Sequence, residues 1–251
     1  YILKIFNIMF ELNDKLEVKV AKGIGPNKKS VVLIDNFYKD PDSIRELCFN
    51  TETNDDPDLI GSLPGVRIYS KTDEVRKNLQ PLYNNLCNDR KLWNYKANQD
   101  QLNHCWKQTT GLLCNIIDDK TLLKNPMGII PHQDSFNKYP IQFGSLIYLN
   151  TPEECGGGTN LYSFCGNMSL DGYPPVTGIE QADKDESEMS SKEKFDHIRL
   201  SLDDNKYWKV EHKFEMVYNR MVLYEADVLH GQSVDLGMFT DHKRINQVLF
   251  L

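Results

Sequence analysis

The residues with the clearest chemical potential are a histidine and a carboxylate two positions apart, His132 and Asp134, and a distant second histidine, His230. On an extended segment, residues i and i+2 project to the same side, so His132 and Asp134 can bind one ion. Two imidazoles and one carboxylate on one face of a metal leave the opposite face open, which suits non-haem Fe(II) chemistry with oxygen. The sequence therefore predicts His132, Asp134 and His230 as metal ligands and as the catalytic centre.

The third ligand has competitors, and a lone His-x-Asp pair is more often structural than metal-binding. The alternatives to His230 are His197, His212 and His242. His230 follows the apolar run 221–224 and precedes a glycine, so it lies where a strand ends and a side chain can face a cavity. His212 is the strongest alternative because it also lies on a predicted strand, whereas His197 and His242 lie in polar surroundings.

A buried cation would complete such a site. Fe(II) enzymes that activate oxygen with a 2-oxo acid need one for the far carboxylate of that acid, and arginine suits it because its planar fork pairs bidentately. Arg244 precedes the apolar run 245–251, and an arginine entering a core strand is costly unless its charge is paired. We predict Arg244 for this role, with a rim salt bridge to Asp235 or Asp241 as the alternative. The other candidate cations are Lys243 and Arg220.

Five motifs follow one another along the chain. They are His132-x-Asp134, Tyr148-Leu149-Asn150, Gly157-Gly158-Thr159, His230 and Arg244. This order resembles the double-stranded β-helix core of the 2-oxoglutarate/Fe(II)-dependent dioxygenases, and most closely their prolyl 4-hydroxylase-like branch. The resemblance covers roughly residues 121–165 and 208–251. It implies a mainly β fold with supporting α-helices around a double-stranded β-helix, a jelly-roll or cupin-like core.

The same resemblance implies roles for individual residues. His132, Asp134 and His230 would bind iron. Arg244 would pair with the 5-carboxylate of 2-oxoglutarate, and Tyr148 would donate its hydroxyl to that carboxylate. Asn246 stands where some relatives carry the serine of an Arg-x-Ser pair, so it is a further candidate contact.

The implied reaction is hydroxylation of a C–H bond with release of succinate and CO2. Its cofactor and cosubstrates would be Fe(II), 2-oxoglutarate and O2, with ascorbate as a further candidate. The substrate is open between a small molecule and a protein side chain. The aromatic residues Phe136, Tyr139, Tyr162 and Tyr173 either line the substrate mouth or belong to the core.

Composition is that of a globular protein: 40% of the 251 residues are hydrophobic and 26% are charged. The formal net charge of -7 disfavours a nucleic-acid partner, because binding to its backbone needs clustered Lys and Arg. No apolar stretch is long enough to span a membrane, so we expect no membrane partner. Six scattered cysteines without a C-x-x-C pair are typical of free thiols in a reducing, cytoplasmic compartment.

We expect one catalytic domain, 1–251, made of three parts. Residues 1–120 form a helical and strand support, 121–165 and 206–251 form the β-helix core, and 166–205 form an insertion. The insertion carries a capped helix from Ser190 and is either a solvated excursion or a substrate lid. Near the beginning, Met9 is either a natural start or part of a first strand.

Local patterns predict the elements themselves. A helix starts at Asp40-Pro41, and a second starts at Thr72 and is kinked or divided by Pro81. From residue 121 onward, seven short apolar runs separated by turn residues predict strands. They are 121–123, 128–130, 141–149, 160–164, 208–212, 221–224 and 245–251.

Two other functions are compatible with the pattern. A cupin-like barrel could bind Mn, Zn or Fe without 2-oxoglutarate, which would leave Arg244 without a role. A non-catalytic interaction module could use the acidic insertion as its contact surface, which would make the metal-binding pattern accidental. Binding of metal and of 2-oxoglutarate separates the three.

Overall fold

The computed structural model describes residues 9–54, 65–135, 141–165, 188–202 and 207–251. Over these ranges the chain is mainly β, with two antiparallel sheets and a smaller set of helices. The strands are β1 (Glu17–Ile24), β2 (Lys29–Asp35), β3 (Thr53–Asn54), β4 (Val66–Lys71), β5 (Gly111–Ile117), β6 (Phe143–Tyr148), β7 (Gly158–Phe164), β8 (Trp208–Glu215), β9 (Met221–Glu225), β10 (His230–Ser233) and β11 (Arg244–Phe250). The α-helices are α1 (Pro41–Asn50), α2 (Glu74–Asn88), α3 (Gln99–Gln108), α4 (Asp119–Lys124) and α5 (Ser191–Ser201), and short 3-10 helices lie at Pro126–Ile129 and Pro152–Glu154.

The larger sheet has eight strands in the order β1-β2-β9-β6-β11-β5-β4-β3, all neighbours antiparallel. Strands from the first half of the chain therefore lie at both edges, and strands from the second half lie between them. The predicted N-terminal support is thus part of the same sheet as the C-terminal strands.

The smaller sheet has the order β10-β7-β8. An isolated antiparallel bridge joins His132 to His230, the first residue of β10, and so extends this sheet by one short segment. From β5 onward the chain crosses repeatedly between the sheets: β5, β6, β9 and β11 lie in the larger one, and the His132 segment, β7, β8 and β10 in the smaller one, with β7 and β8 as a consecutive pair in the same sheet.

Two hydrophobic clusters form because alternate residues of a strand point to opposite faces of its sheet. Ile116 on β5 and Ile147 on β6 face a cluster that contains Ile44 of α1, Leu79 of α2 and Leu102 of α3. The neighbouring positions Ile117 and Tyr148 face a second cluster that contains residues of the smaller sheet and of α5. The larger sheet is therefore covered by helices on one face and by the smaller sheet on the other.

The first two predicted helices are present. The Asp40 carboxylate accepts from the backbone N–H of Ser43 (3.1 Å), and Pro41 is the first helical residue of α1. Pro81 does not divide α2, which runs unbroken for 15 residues. Pro81 is exposed, and Leu79 and Tyr83 beside it are fully buried, so packing holds the helix across the lost hydrogen bond.

Two of the predicted strands are wrong. The run 121–123 lies in α4 and the run 128–130 overlaps a 3-10 helix. Asp118 is not a simple turn residue, because its side chain accepts from the backbone N–H of Thr121 (2.8 Å) and caps α4. Three-residue apolar runs do not distinguish a strand from a buried helical turn. The other five predicted runs lie in β6, β7, β8, β9 and β11, and β10 was not predicted.

The described end of the insertion packs against the rest of the fold through one face of its helix, and its other face is exposed. Ser190 caps α5 in the predicted capping box with Glu193, and Phe195 and Ile198 of that helix are buried. Helix α5 contacts α4 and the 3-10 helix Pro126–Ile129. The rest of the insertion (166–187 and 203–206), and Phe136, Tyr139 and Tyr173, lie outside the described residues. So does most of the predicted first strand; Met9 itself is in a helical turn.

Two further expectations concern the whole chain. All six cysteines lie in described segments and none forms a disulfide. Among the described helices, none is both long and apolar enough to cross a membrane.

Candidate metal centre

Two backbone hydrogen bonds hold the two predicted histidines side by side. His132 N donates to His230 O (2.9 Å), and His230 N donates to His132 O (3.0 Å). Their ring centroids are 4.5 Å apart. Asp134 follows two residues after His132 and reaches the same side, as its spacing predicts. The structure thus brings together all three predicted ligands.

The donor atoms face one another closely enough for a single ion. His132 Nε2 is 3.7 Å from Asp134 Oδ1, and His230 Nε2 is 3.6 Å from Asp134 Oδ2. One donor atom from each residue lies within 4.8 Å of the others. Two atoms that each bind an ion at ~2.1 Å can be at most ~4.2 Å apart, so both carboxylate–imidazole spacings fit one divalent ion. His132, Asp134 and His230 can hold a metal ion.

The backbone orients the His230 ring. His230 Nδ1 is 3.0 Å from the Val228 carbonyl oxygen. Because that oxygen can only accept, Nδ1 carries a proton and Nε2 is the nitrogen that faces Asp134. Burial, followed by the nearby charge of His230, lowers the pKa of His132 to about 4. His132 is therefore neutral near neutral pH.

The Asp134 carboxylate is buried against two residues of the larger sheet. The Tyr224 hydroxyl on β9 donates to Asp134 Oδ2 (3.3 Å). Burial raises the pKa of Tyr224 well above its ordinary value, so the hydroxyl keeps its proton and remains a donor. Opposite Tyr224 on β6 lies Gly144, where a Cβ would collide with Asp134 Oδ2 and with the Tyr224 ring. The absent side chain makes room for the carboxylate.

Arg244 lines the same cavity as the three candidate ligands, and only 2% of it is exposed. Its Nη1 donates to Asn246 Oδ1 (2.6 Å) and Gln232 Oε1 (3.2 Å), and its guanidinium lies 5.6 Å from the centroid of the Tyr148 ring. Burial lowers its pKa from the ordinary value. Among the described residues no carboxylate pairs with Arg244, and its buried Nε has no hydrogen-bond partner. A buried guanidinium with neutral partners is a favourable place for an anion.

Arg244 and the three candidate ligands line one cavity of about 260 Å³. Polar side chains of β5, β7, β10 and β11 occupy the end near Arg244, and apolar ones occupy the other end. The described lining residues are Arg67, Asn115, His132, Gln133, Asp134, Ile141, Leu146, Thr159, Tyr224, His230, Gly231, Gln232, Arg244, Asn246, Val248 and Phe250. The larger sheet supplies one wall, and the smaller sheet with the His132 segment supplies the other.

The competing residues lie elsewhere. His212 is exposed on β8, and His242 is 3.0 Å from the carbonyl oxygen of Glu154. His197 lies on α5, outside the cavity lining. Asp235, the predicted rim partner of Arg244, instead accepts from Arg199 (2.8 Å).

Neither of the other two candidate cations, Arg220 and Lys243, lines the cavity. Arg220 is paired with Asp35, with Nη2 2.9 Å from Oδ2. Lys243 is exposed and is not a lining residue. Of the three predicted cations, Arg244 is the one that faces the cavity.

Tyr148 and Asn246 have different positions relative to this cavity. Asn246 is part of the lining. Tyr148 is fully buried and is not part of the lining, and its hydroxyl is 2.8 Å from Thr159 Oγ1. The resemblance implied that the Tyr148 hydroxyl would contact the cosubstrate, whereas the residue that lines the cavity here is Thr159. Tyr162, a predicted mouth residue, is buried against Trp208 and is not in this lining.

Several lining residues were not predicted. Gly144 had a sequence signal, because a glycine inside an apolar strand often marks a close approach of another group. Thr159 belonged to the Gly157-Gly158-Thr159 motif, although no role was predicted for it. Tyr224, Gln232 and Asn115 had no signal, since a polar residue on a strand does not reveal which face points to a cavity.

A family model matches residues 15–242 of the chain. The chain belongs to DUF6445, a family of unknown function. The DUF6445 match includes the three candidate metal ligands and ends two residues before Arg244. No curated protein matches the chain.

Two nitrogen donors and one carboxylate form a set that iron accepts, although zinc and manganese accept it as well. The fit to a divalent metal rests on the buried carboxylate and on the two imidazole nitrogens that face it.

Proposed function

We propose that this protein is an Fe(II)- and 2-oxoglutarate-dependent oxygenase that hydroxylates a C–H bond and releases succinate and CO2. One observation carries the proposal: a 2-His-1-carboxylate group and a buried arginine without a carboxylate partner among the described residues line the same cavity. The first can hold iron, and the second can bind the far carboxylate of a 2-oxo acid.

The strand arrangement supports this reading. A jelly-roll core has eight strands arranged in two facing sheets. Here β5, β11, β6 and β9 are neighbours in one sheet, and the His132 segment, β10, β7 and β8 follow one another in the other. We take these eight segments as a double-stranded β-helix. The metal ligands then lie at one end of the smaller sheet, and Arg244 lies at the start of the last strand.

The iron, once bound, would supply the redox chemistry that activates oxygen. The residues of the chain hold and orient the participants. His132, Asp134 and His230 would hold the ion, and the Tyr224 hydroxyl fixes the Asp134 carboxylate. Arg244 orients the cosubstrate through its distant carboxylate, with Gln232 and Asn246 fixing the guanidinium.

Anaerobic titration with Fe(II) and 2-oxoglutarate tests the proposal. A 2-oxo acid chelated to Fe(II) gives a weak visible charge-transfer band, which we expect for the wild-type protein. Arg244→Met should still bind Fe(II) but lose affinity for 2-oxoglutarate by roughly 30-fold or more, because a buried charge pair loses one partner. Lys243→Met, the exposed neighbour, should behave as wild type. His132→Ala should lose the band.

Each failure has a distinct meaning. Iron binding without the band, in wild type, contradicts the oxygenase and favours the cupin-like barrel. No metal binding at all contradicts both and leaves the interaction module. An unchanged band in Arg244→Met would overturn the role of Arg244.

A further inference from the structure

A second cavity, which we call the annex, adjoins the metal cavity. It has about 260 Å³ and shares the walls Ile141, Val248 and Phe250 with the metal cavity. Its other described lining residues are Tyr69, His104, Cys105, Gln108, Thr109, Thr110, Gly111, Leu113 and Leu249. Together the two cavities reach the range of ~300–1,000 Å³ that is usual for small-molecule sites.

The annex arises from the register of three neighbouring strands. Arg67 on β4, Asn115 on β5 and Asn246 on β11 are cross-strand partners and form a polar row that lines the metal cavity. Two residues further along, on the same face, Tyr69 is paired with Leu113.

Val248 extends this second row on β11, since it lies two residues after Asn246. One continuous surface thus changes from polar beside the metal ligands to largely apolar in the annex.

The outer end of the annex is at the protein surface. The Tyr69 hydroxyl is 2.5 Å from Thr110 Oγ1, and both residues are exposed. A ligand could therefore enter past this pair, and its inner end would reach the cavity of His132 and His230. Leu113 and Val248 are each partly exposed to this space.

We propose that the annex binds an apolar group, alkyl or aryl, of the oxygenase substrate, and that a carbon next to that group is the one presented to the metal. This inference rests on the proposed function, because it assigns the substrate side of the same site. Polar groups lose hydrogen bonds when they are buried against apolar side chains. The cosubstrate and any polar substituent of the substrate therefore bind beside the polar row of the metal cavity and not in the annex.

The test uses 1-hexanol as a probe and two kinds of measurement. Saturation-transfer NMR on the metal-free protein reports whether the probe binds. Mn(II), bound at the triad and followed separately by electron paramagnetic resonance, then relaxes nearby probe protons. We expect binding to wild type, and relaxation that decreases steadily from one end of the probe to the other.

Two variants fill the annex from different elements and at residues that line the annex alone: Leu113→Trp on β5 and Thr109→Phe, directly after α3. Each should abolish the probe signal and leave Mn(II) affinity unchanged. Val18→Trp, an aromatic substitution on an exposed strand position, is the matched control and should change neither. Thermal melting of all three shows whether each variant is folded. If one filled variant does not fold, the other still tests the inference.

Four results would overturn the inference. If the probe does not bind the wild-type protein, the annex is not a site for an apolar group. If the probe still binds both filled variants, its binding site is not the annex. If the filled variants abolish probe binding but the probe bound to wild type shows no relaxation gradient, the annex binds the probe without presenting it to the metal. Absence of Mn(II) binding would remove the proposed function as well, and the resonance signal of Mn(II) identifies that case by itself.

Discussion

At the level of single residues, Asp134 fits its position because the residue that faces its carboxylate, Gly144, has no side chain. Gly144 leaves space for the carboxylate, and the Tyr224 hydroxyl holds one of its oxygens. Residues that orient a metal ligand commonly change metal affinity by ~10- to 100-fold when they are replaced. Neither residue needs to touch the metal to matter.

Gly144→Ala should therefore weaken Mn(II) binding by about tenfold or more. The new Cβ would collide with Asp134 Oδ2 and would lie 2.7 Å from Tyr224 Cε2, so both side chains must shift. Titration of Mn(II) measures the affinity. Gly156→Ala is the matched control, because a Cβ at Gly156 meets nothing within 4 Å. Equal affinities in the two variants would contradict the positioning role of Gly144.

At the level of elements, an ion pair joins the strands on one side of the larger sheet. Asp35 ends β2, and its carboxylate accepts from Lys19 of β1 (2.8 Å) and from Arg220, which precedes β9 (2.9 Å). These hydrogen bonds, chiefly that from Arg220, lower the pKa of Asp35 to about 2. The chain thus uses Arg220 to fix strand pairing, where the sequence had left it as a candidate cosubstrate ligand.

The lowered pKa predicts a stability change with pH. Because the folded pKa lies below the unfolded one, the ionised Asp35 stabilises the fold above about pH 4, and this contribution is lost as the pH falls towards about 2. Asp35→Asn should cost about 1–2 kcal/mol at neutral pH after solvent screening, and should lose less stability between those pH values. Urea unfolding across this range measures both.

Asp14→Asn serves as the control for this measurement. The Asp14 side chain is 86% exposed and pairs only at 3.4 Å with Lys39, so its replacement should have little effect. If Asp35→Asn and Asp14→Asn have the same acid dependence, the ion pair of Asp35 does not set it.

At the level of the whole molecule, the candidate metal centre lies between the two sheets. His230 belongs to the smaller sheet, whereas Asp134 is held by Tyr224 and Gly144 of the larger one. An ion bound by both histidines and Asp134 would therefore connect the two layers. Any ligand that binds only the folded state stabilises it by RT ln(1 + c/Kd), where c is the free ligand concentration, so the gain grows with the logarithm of that concentration.

Mn(II) or Fe(II) should accordingly raise the melting temperature. At a hundredfold excess over the dissociation constant the gain is ~2.7 kcal/mol, which for a chain of this size is on the order of 5 to 10 °C. Anaerobic thermal melting with and without metal measures the shift. The shift should vanish in His230→Ala and persist in His212→Ala, the exposed histidine. An equal shift in both variants would place the metal elsewhere.

The sequence by itself determined the features that depend on local chemistry. The cap at Asp40, the apolar run of β11 and the His-x-Asp spacing are short-range patterns, and each predicted its element or pair correctly. The two three-residue runs, 121–123 and 128–130, were wrongly predicted as strands because three apolar residues are compatible with strand and helix alike.

Only the tertiary structure decided which distant residues meet. His230 joins His132 because the two are paired across strands, whereas His212, the strongest alternative in sequence, is exposed on β8. The same holds for Gly144 beside Asp134. Residue type determines which atoms can bind a metal or an anion, but convergence depends on strand order and register, which the packing of both sheets sets over the whole chain.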